Sequence, residues 1–143
     1  MKKLALFLTF SCLASVLPAQ LAAQTFRLQA NIPFAFVVSG KTMPAGQYEI
    51  NAGKIGNGSL MVWNEEAKTG AMAMASNPVY AGQTENPSAI LNFNRYGDRY
   101  FLTQVMPGFD GVGLEFNTSA EERTTAKERA ASKPEKVTVL ARR

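Results

Sequence analysis

The chain offers few side chains that could carry out catalytic chemistry. It has no histidine, which is the commonest general base at neutral pH and a frequent metal ligand. Its one cysteine, Cys12, lies within an apolar run near the N-terminus. A Ser-His-Asp or Cys-His nucleophile therefore cannot be assembled, and neither zinc nor haem nor an iron–sulfur cluster is expected. The composition predicts a protein that is not an enzyme and holds no cofactor.

Carboxylates remain as candidates for acid–base chemistry. A carboxylate enzyme needs two acids that face each other, and Glu49, Asp98, Asp110 and Glu115 are separated in the sequence. Asp98 and Asp110 each adjoin a glycine, a pairing that is typical of turns. A calcium site would need about six or more oxygen ligands, and no acid-rich loop supplies them. A hydrolase without histidine would require two of these acids to converge in a cleft.

Aromatic side chains give the one positive indication of a binding function. Trp63 ends a run of alternating residues, Tyr80 lies in a connection rich in proline and glycine, and Tyr96 and Tyr100 flank a predicted turn. Exposed rings on a sheet face are a common means of binding glycans and peptides. The alternative is that these rings pack within the core or across strands. All four are candidate contacts with a ligand or partner.

The first 23 residues have the features of a signal peptide. Lys2 and Lys3 precede an apolar run, residues 4–17, and small residues before Gln24 suit cleavage there. The apolar run is shorter than the roughly 20 residues of a membrane-spanning helix, and no membrane span is expected in the mature chain. The mature protein is predicted to be secreted or periplasmic. It would contain no cysteine, so its fold would have no disulfide.

Residues 89–106 carry the strongest hairpin signal. Two runs rich in aromatic and apolar residues meet at Gly97 and Asp98, and this pair suits a two-residue type I′ or II′ loop. Such a loop would place Arg95 opposite Tyr100, where the guanidinium can lie on the ring. A hairpin as apolar as this requires a larger sheet around it.

Short apolar or alternating runs, separated by turn residues, fill the remainder of the region before residue 117. Met72 and Met74 share one face with alanines between them, which predicts close packing against bulkier neighbours. The pattern as a whole predicts an all-β fold, either a small antiparallel sandwich or a partly open barrel. Beside the hairpin, strands are predicted at residues 48–51, 60–64, 71–76 and 113–116. Residues 25–36 are predicted to be extended, with the part at Pro33 at an edge or bulge because its amide cannot donate.

The composition changes after residue 116. Residues 24–116 contain six Lys/Arg and seven Asp/Glu, a net charge of −1, whereas residues 117–143 contain seven and four, a net charge of +3. A nearly neutral domain with a basic tail is not the composition of a nucleic-acid-binding protein. The predicted organisation is a signal peptide at 1–23, a β domain at 24–116 and a basic helical tail with a terminal strand at 117–143.

The tail itself has two predicted elements. Ser119 and Glu122 form a capping-box pattern, which predicts a short and mostly solvated helix that ends near Ser132. Residues 136–140 read Lys-Val-Thr-Val-Leu, a sequence that favours a short final strand. That strand could pair with an open edge of the same sheet, or it could remain free and pair with another chain.

Two motifs stand out in the mature chain. Residues 32–48 contain Ile-Pro-Phe-x-Phe and then Gly-Lys-x-x-Pro-Ala-Gly-x-Tyr, and residues 93–102 read Phe-x-Arg-Tyr-Gly-Asp-Arg-Tyr-Phe-Leu. In order and spacing these motifs resemble a family of small secreted proteins of unknown function that is abundant in acidobacteria. The resemblance implies an exported, β-rich bacterial domain, and it carries over no activity, cofactor or catalytic residue.

These observations favour an exported, non-catalytic β domain of unknown role. It would bind or interact through a sheet face or through the C-terminal tail, with an unknown protein, a glycan or an apolar ligand as its partner. The alternative is a small β-barrel that encloses an apolar ligand, in a cavity lined by Met72, Met74 and phenylalanines.

Overall fold

The computed structural model describes five segments of the chain. The predicted signal peptide, residues 1–23, lies outside them, as does Asp110. The described segments are residues 26–53, 58–80, 88–108, 112–129 and 133–143.

The described segments form ten strands and one short helix, which confirms the predicted all-β class. The helix, α1, spans Ala120–Glu128. The strands are β1 (Phe26–Ile32), β2 (Phe36–Val38), β3 (Lys41–Met43), β4 (Gly46–Ala52), β5 (Ser59–Asn64), β6 (Thr69–Tyr80), β7 (Ala89–Tyr96), β8 (Arg99–Met106), β9 (Val112–Phe116) and β10 (Glu135–Arg142).

Eight of these strands close into a barrel. Their order around it is β8-β7-β10-β1-β4-β5-β6-β9, and β9 pairs with β8 to complete the ring. The final strand, β10, lies between β7 and β1, so Ala141 pairs with Ala89 on one side and with Ala30 on the other. The terminal strand thus docks within its own domain. In the structure, α1 and β10 both pack against strands that precede residue 116.

Period-two alternation places one set of side chains inside the barrel. Along β1, Leu28, Ala30 and Ile32 are buried while Arg27 and Gln29 are exposed, as the sequence pattern predicts. Because apolar inner positions recur on the strands around the ring, their side chains fill the interior as a packed core. The largest fully buried side chains include Tyr48, Phe36, Phe93, Leu28, Ile32, Met43, Ile50, Leu60, Leu91 and Val62.

The β2–β3 hairpin covers one end of the barrel. Strand β2 pairs in parallel with β8, and Phe36 at its start packs against Tyr48 of β4, with ring centroids 5.1 Å apart. Since β4 and β8 lie four strands apart in the eight-strand ring, the hairpin reaches across it. The Lys41 ammonium donates to the Gly70 carbonyl at 2.6 Å, which connects the hairpin to β6.

The β7–β8 hairpin forms as predicted, with Arg95 opposite Tyr100. The Arg95 guanidinium carbon lies 5.5 Å from the centre of the Tyr100 ring. Gly97 adopts a φ of +67° in the connecting turn, which explains why a glycine stands there. A bulge between Asn92 and Phe93 shifts the register once along the hairpin.

The structure corrects two predictions for β6. Met72 and Met74 are 48% and 63% exposed, so they do not pack closely and do not line a cavity. Their alanine neighbours Ala71 and Ala73 point inward, opposite Val62 and Leu60. Small side chains fit the crowded interior beside those larger residues, and this leaves the methionines on the outer surface.

The second correction concerns Tyr80, for which the sequence predicts an irregular connection. Strand β6 continues through Pro78 to Tyr80 because β9 pairs with it, after a register shift between Ala75 and Asn77. In the extended stretch predicted for residues 25–36, β1 ends at Ile32 and β2 begins at Phe36, with Pro33 between them. A proline has no amide hydrogen to continue a ladder.

Candidate functional site

The four aromatic candidates divide into two exposed and two packed side chains. Trp63 is 36% exposed on the outer face of β5, and Tyr80 is 74% exposed at the end of β6. Tyr96 is buried, and Tyr100 stacks on Phe34 with ring centroids 3.9 Å apart. Tyr96 and Tyr100 therefore fit the packing alternative, and the accessible rings are those of Trp63 and Tyr80.

Trp63 is held in place by Gly70 on β6 and by Glu65 in the β5–β6 turn. Its indole lies over Gly70, the residue paired with it on β6, where an added Cβ would come 2.5 Å from the ring atom Cε3. The indole N–H donates to the Glu65 carboxylate at 2.7 Å. A glycine below the ring and a hydrogen bond at its edge fix the indole orientation before any ligand arrives.

A surface groove of about 370 Å³ adjoins this tryptophan. This volume falls within the range of roughly 300–1,000 Å³ that is typical of small-molecule sites. The register places Gln29 of β1, Glu49 of β4 and Trp63 of β5 in one row across the outer face of the barrel. The groove is lined by Gln29, Gln47, Tyr48, Glu49, Trp63 and Glu65.

The carboxylates of the groove are paired with basic side chains. Glu49 lies 3.5 Å from the Arg27 Nε and accepts from the Asn51 amide at 2.7 Å. Glu65 forms an ion pair with Lys68. The hydrogen bond from Lys68, followed by the one from Trp63, lowers the pKa of Glu65. The groove therefore contains charged groups but has little net charge.

The amides of the groove remain available for hydrogen bonding. Gln29 and Gln47 form no side-chain hydrogen bond to any residue of the described segments. Each amide can donate two hydrogens and accept at its carbonyl oxygen. The two side chains stand on adjacent strands, since Gln29 pairs with Glu49 and Gln47 lies two residues away on the same face.

An exposed apolar strip continues from the groove along β5 and β6. Met61 lies opposite Met72, two residues from Trp63 on β5, and Met74 lies one step further along the same face of β6. We refer to the groove and this strip together as the Trp63 face. Its members are Gln29, Gln47, Glu49, Met61, Trp63, Glu65, Met72 and Met74.

A second cluster of polar side chains attaches α1 to the outside of the β7–β8 hairpin. The buried Glu122 accepts from the Asn94 amide at 2.9 Å and from the Tyr96 hydroxyl at 3.3 Å. Burial, followed by the nearby Glu122 carboxylate, raises the pKa of Tyr96. Ala126 of the helix packs on the small cluster of Val37, Tyr96 and Phe101. These groups satisfy one another, so the cluster anchors the helix.

Further hydrogen bonds and ion pairs strengthen this attachment. Arg99 donates to the Thr125 hydroxyl at 2.8 Å and forms an ion pair with Glu121. Arg129 pairs with Asp98 at 3.0 Å. One half of the predicted capping box is present, because the Glu122 amide donates to the Ser119 hydroxyl at 3.0 Å. The Glu122 carboxylate accepts from Asn94 and Tyr96 instead of from the Ser119 backbone amide.

The carboxylates considered for catalysis do not converge where the structure describes them. Glu49 lies on β4 and Glu115 on β9, with β5 and β6 between those two strands. Asp98 lies in the β7–β8 turn and pairs with Arg129. Within the described ranges, no group of three or more His, Cys, Asp or Glu side chains could hold a metal ion.

Sequence reasoning missed Gln29 and Gln47 as parts of the groove, and Gly70 as the residue beneath the Trp63 ring. The available signal was alternation, which places both glutamines on the face opposite buried neighbours such as Leu28 and Tyr48. It was insufficient because the strand register decides which outward residues become neighbours.

In the segments that the structure describes, no helix has the length and apolarity to cross a membrane. Comparison of the chain with protein-family models, with curated proteins and with solved structures finds no match.

Proposed function

We propose that this protein is an exported, non-catalytic binding domain whose ligand or partner docks on the Trp63 face. One observation carries the proposal. Among the large apolar side chains exposed in the described segments, Trp63, Met72 and Met74 lie together on the adjacent strands β5 and β6. Clustered exposed apolar side chains that adjoin polar groups are typical of interaction sites.

The C-terminal tail is a weaker candidate for the interacting element. β10 pairs with β7 over residues 135–141, and it pairs with β1 at Ala141 and Arg142. One edge of the strand is thus covered along its length and the other at its end, which leaves only part of one edge for another chain. The sheet face is therefore the better supported of the two surfaces considered from the sequence.

An apolar ligand inside the barrel has less support. That alternative requires inner space lined by Met72, Met74 and phenylalanines, but both methionines face outward. Phe36 and Phe93 pack against each other within the core, with ring centroids 5.5 Å apart.

The binding function can be tested through Trp63 because it is the single tryptophan of the chain. Intrinsic fluorescence then reports on this face alone. We expect a saturable change in tryptophan emission with at least one of three probe classes, namely neutral oligosaccharides, extended peptides and fatty acids. The variant Tyr80→Ala removes the other exposed aromatic ring and should leave that response unchanged. Calorimetric binding of a probe without any change in emission would place its site elsewhere and contradict the proposal.

Export is the second part of the proposal, supported by the signal features of residues 1–23 and by the resemblance to secreted acidobacterial proteins. We expect protein purified from its native host to begin at or near Gln24, because the small residues Ala22 and Ala23 suit cleavage there. Intact-mass measurement decides the matter. A membrane-bound form that retains Met1 would contradict export.

A further inference from the structure

We infer that the ligand of the Trp63 face is a neutral glycan, with one sugar ring stacked on the indole of Trp63 and its hydroxyls bound by Gln29 and Gln47. This inference rests on the proposed binding function and names its ligand class. Three features of the groove support this inference. They are an aromatic platform of fixed orientation, side-chain amides beside the platform that have no hydrogen-bond partner in the described segments, and acidic groups whose charges are balanced by basic partners.

The aromatic platform is the first feature. Trp63 is partly exposed, and its ring orientation is fixed by Gly70 beneath it and by the hydrogen bond to Glu65. The C–H bonds on the face of a pyranose ring can pack on an aromatic π-system, whose face carries partial negative charge. Because the ring is already fixed before a ligand binds, the loss of side-chain entropy on binding is small.

The amides are the second feature. The hydroxyls of a sugar both donate and accept hydrogen bonds, and an amide does the same through its two N–H groups and its carbonyl. The side chains of Gln29 and Gln47 have no competing bond within the described ranges. Gln29 lies in the row that leads through Glu49 to Trp63, and Gln47 lies two residues from Glu49 on β4. The hydroxyls at the rim of a sugar ring that stacks on the indole can therefore reach these amide groups.

The charges are the third feature, and they distinguish a glycan from the other candidates. Two acids, Glu49 and Glu65, are paired with two bases, Arg27 and Lys68, so the formal charges cancel. A cationic peptide would have to displace Arg27 or Lys68 from its carboxylate. A fatty-acid carboxylate would meet basic groups that are already paired. A neutral, hydroxyl-rich ligand requires no ion pair to break.

The test is a titration of the mature protein with neutral oligosaccharides of glucose, xylose, mannose and N-acetylglucosamine. Tryptophan emission and calorimetry are the two measurements. We expect saturable binding of at least one series, with a change in emission. Trp63→Ala should weaken that binding by about tenfold or more in calorimetry, because the stacking platform is lost.

Two further variants keep the emission signal and probe the rest of the groove. Gln47→Ala leaves Trp63 in place and should weaken binding by about fivefold, the effect of one lost hydrogen bond. Gly70→Ala forces the indole to move and should both shift its emission and weaken binding. The matched controls are Asn117→Ala, an exposed amide elsewhere, and Tyr80→Ala, an exposed ring elsewhere. Both controls should bind as the unaltered protein does.

The outcomes separate this inference from the function on which it rests. If peptides or fatty acids change Trp63 emission and no oligosaccharide does, the glycan inference fails and the binding function stands. If an oligosaccharide binds with equal affinity to Trp63→Ala and Gln47→Ala, the assigned site is wrong. If no probe of any class binds, both proposals fail.

Discussion

Removal of residues 135–143 should abolish the folded state. These residues include the whole of β10, which pairs with β7 on one side and with β1 on the other. Their loss opens the barrel, removes the whole β10 ladder from β7 and two residue pairs from β1, and uncovers inner side chains such as Leu91 and Phe93. Each backbone hydrogen bond contributes about 1 kcal/mol net, so the summed loss should exceed about 5 kcal/mol. Whole domains are stable by only about 5–15 kcal/mol.

Thermal unfolding followed by circular dichroism measures this effect. A matched pair of point variants separates the interior from the surface of the same strand. Ala141→Glu places a carboxylate among buried neighbours and should cost several kcal/mol. Leu140→Glu alters an exposed side chain and should change stability by about 1 kcal/mol or less. A truncated chain that retains a cooperative transition near the original temperature would contradict the placement of β10.

Substitution of Gly97 by valine should lower the free energy of unfolding by about 1–3 kcal/mol. Gly97 has a φ of +67°, a conformation that a β-branched residue adopts only under strain. The new side chain would also meet the Arg129 guanidinium, which lies where the Cβ would stand. The expected loss therefore combines backbone strain with displacement of Arg129 from Asp98.

Asp98→Asn is the control for this turn. Asp98 is largely exposed, and its ion pair with Arg129 is a surface pair that contributes about 1 kcal/mol or less. Asparagine also suits a turn position, so chemical denaturation should show almost no change. A larger loss from Asp98→Asn than from Gly97→Val would mean that the ion pair, and not the backbone conformation, holds the hairpin to α1.

Local patterns were sufficient for the elements whose cause is local. The Gly97 turn determines which residues of β7 and β8 face each other, so the pairing of Arg95 with Tyr100 follows from the sequence. The capping box likewise predicts the start of α1. Strand β1 shows its inner face through strict alternation of buried and exposed residues.

Long-range pairing could not be predicted in the same way. Nothing near Val137 or Ala141 in the sequence specifies that β10 inserts between β7 and β1. Alternation assigns Met72 and Ala73 to opposite faces of β6 but does not reveal which face lies inside. Only the volume available beside Leu60 and Val62 decides that.

The candidate site likewise has one part that local sequence predicts and another that depends on long-range pairing. Trp63 could be selected from the sequence because a large ring at the end of an alternating run is easily exposed. Its surroundings could not, since Gln29 reaches the groove through the β1–β4 register and Gly70 meets the ring through the β5–β6 register. A binding surface on a barrel wall is assembled from residues of several strands.

The position of β10 also has a consequence for the timing of folding. Ala30 and Ala141 are neighbours in the sheet, yet β10 follows every other described strand along the chain. Synthesis from the N-terminus therefore produces nine strands before the tenth can join β1 to β7. Contacts between such distant residues form slowly because the long intervening loop must first close. We therefore expect the newly made chain to complete its barrel only after β10 has been synthesised.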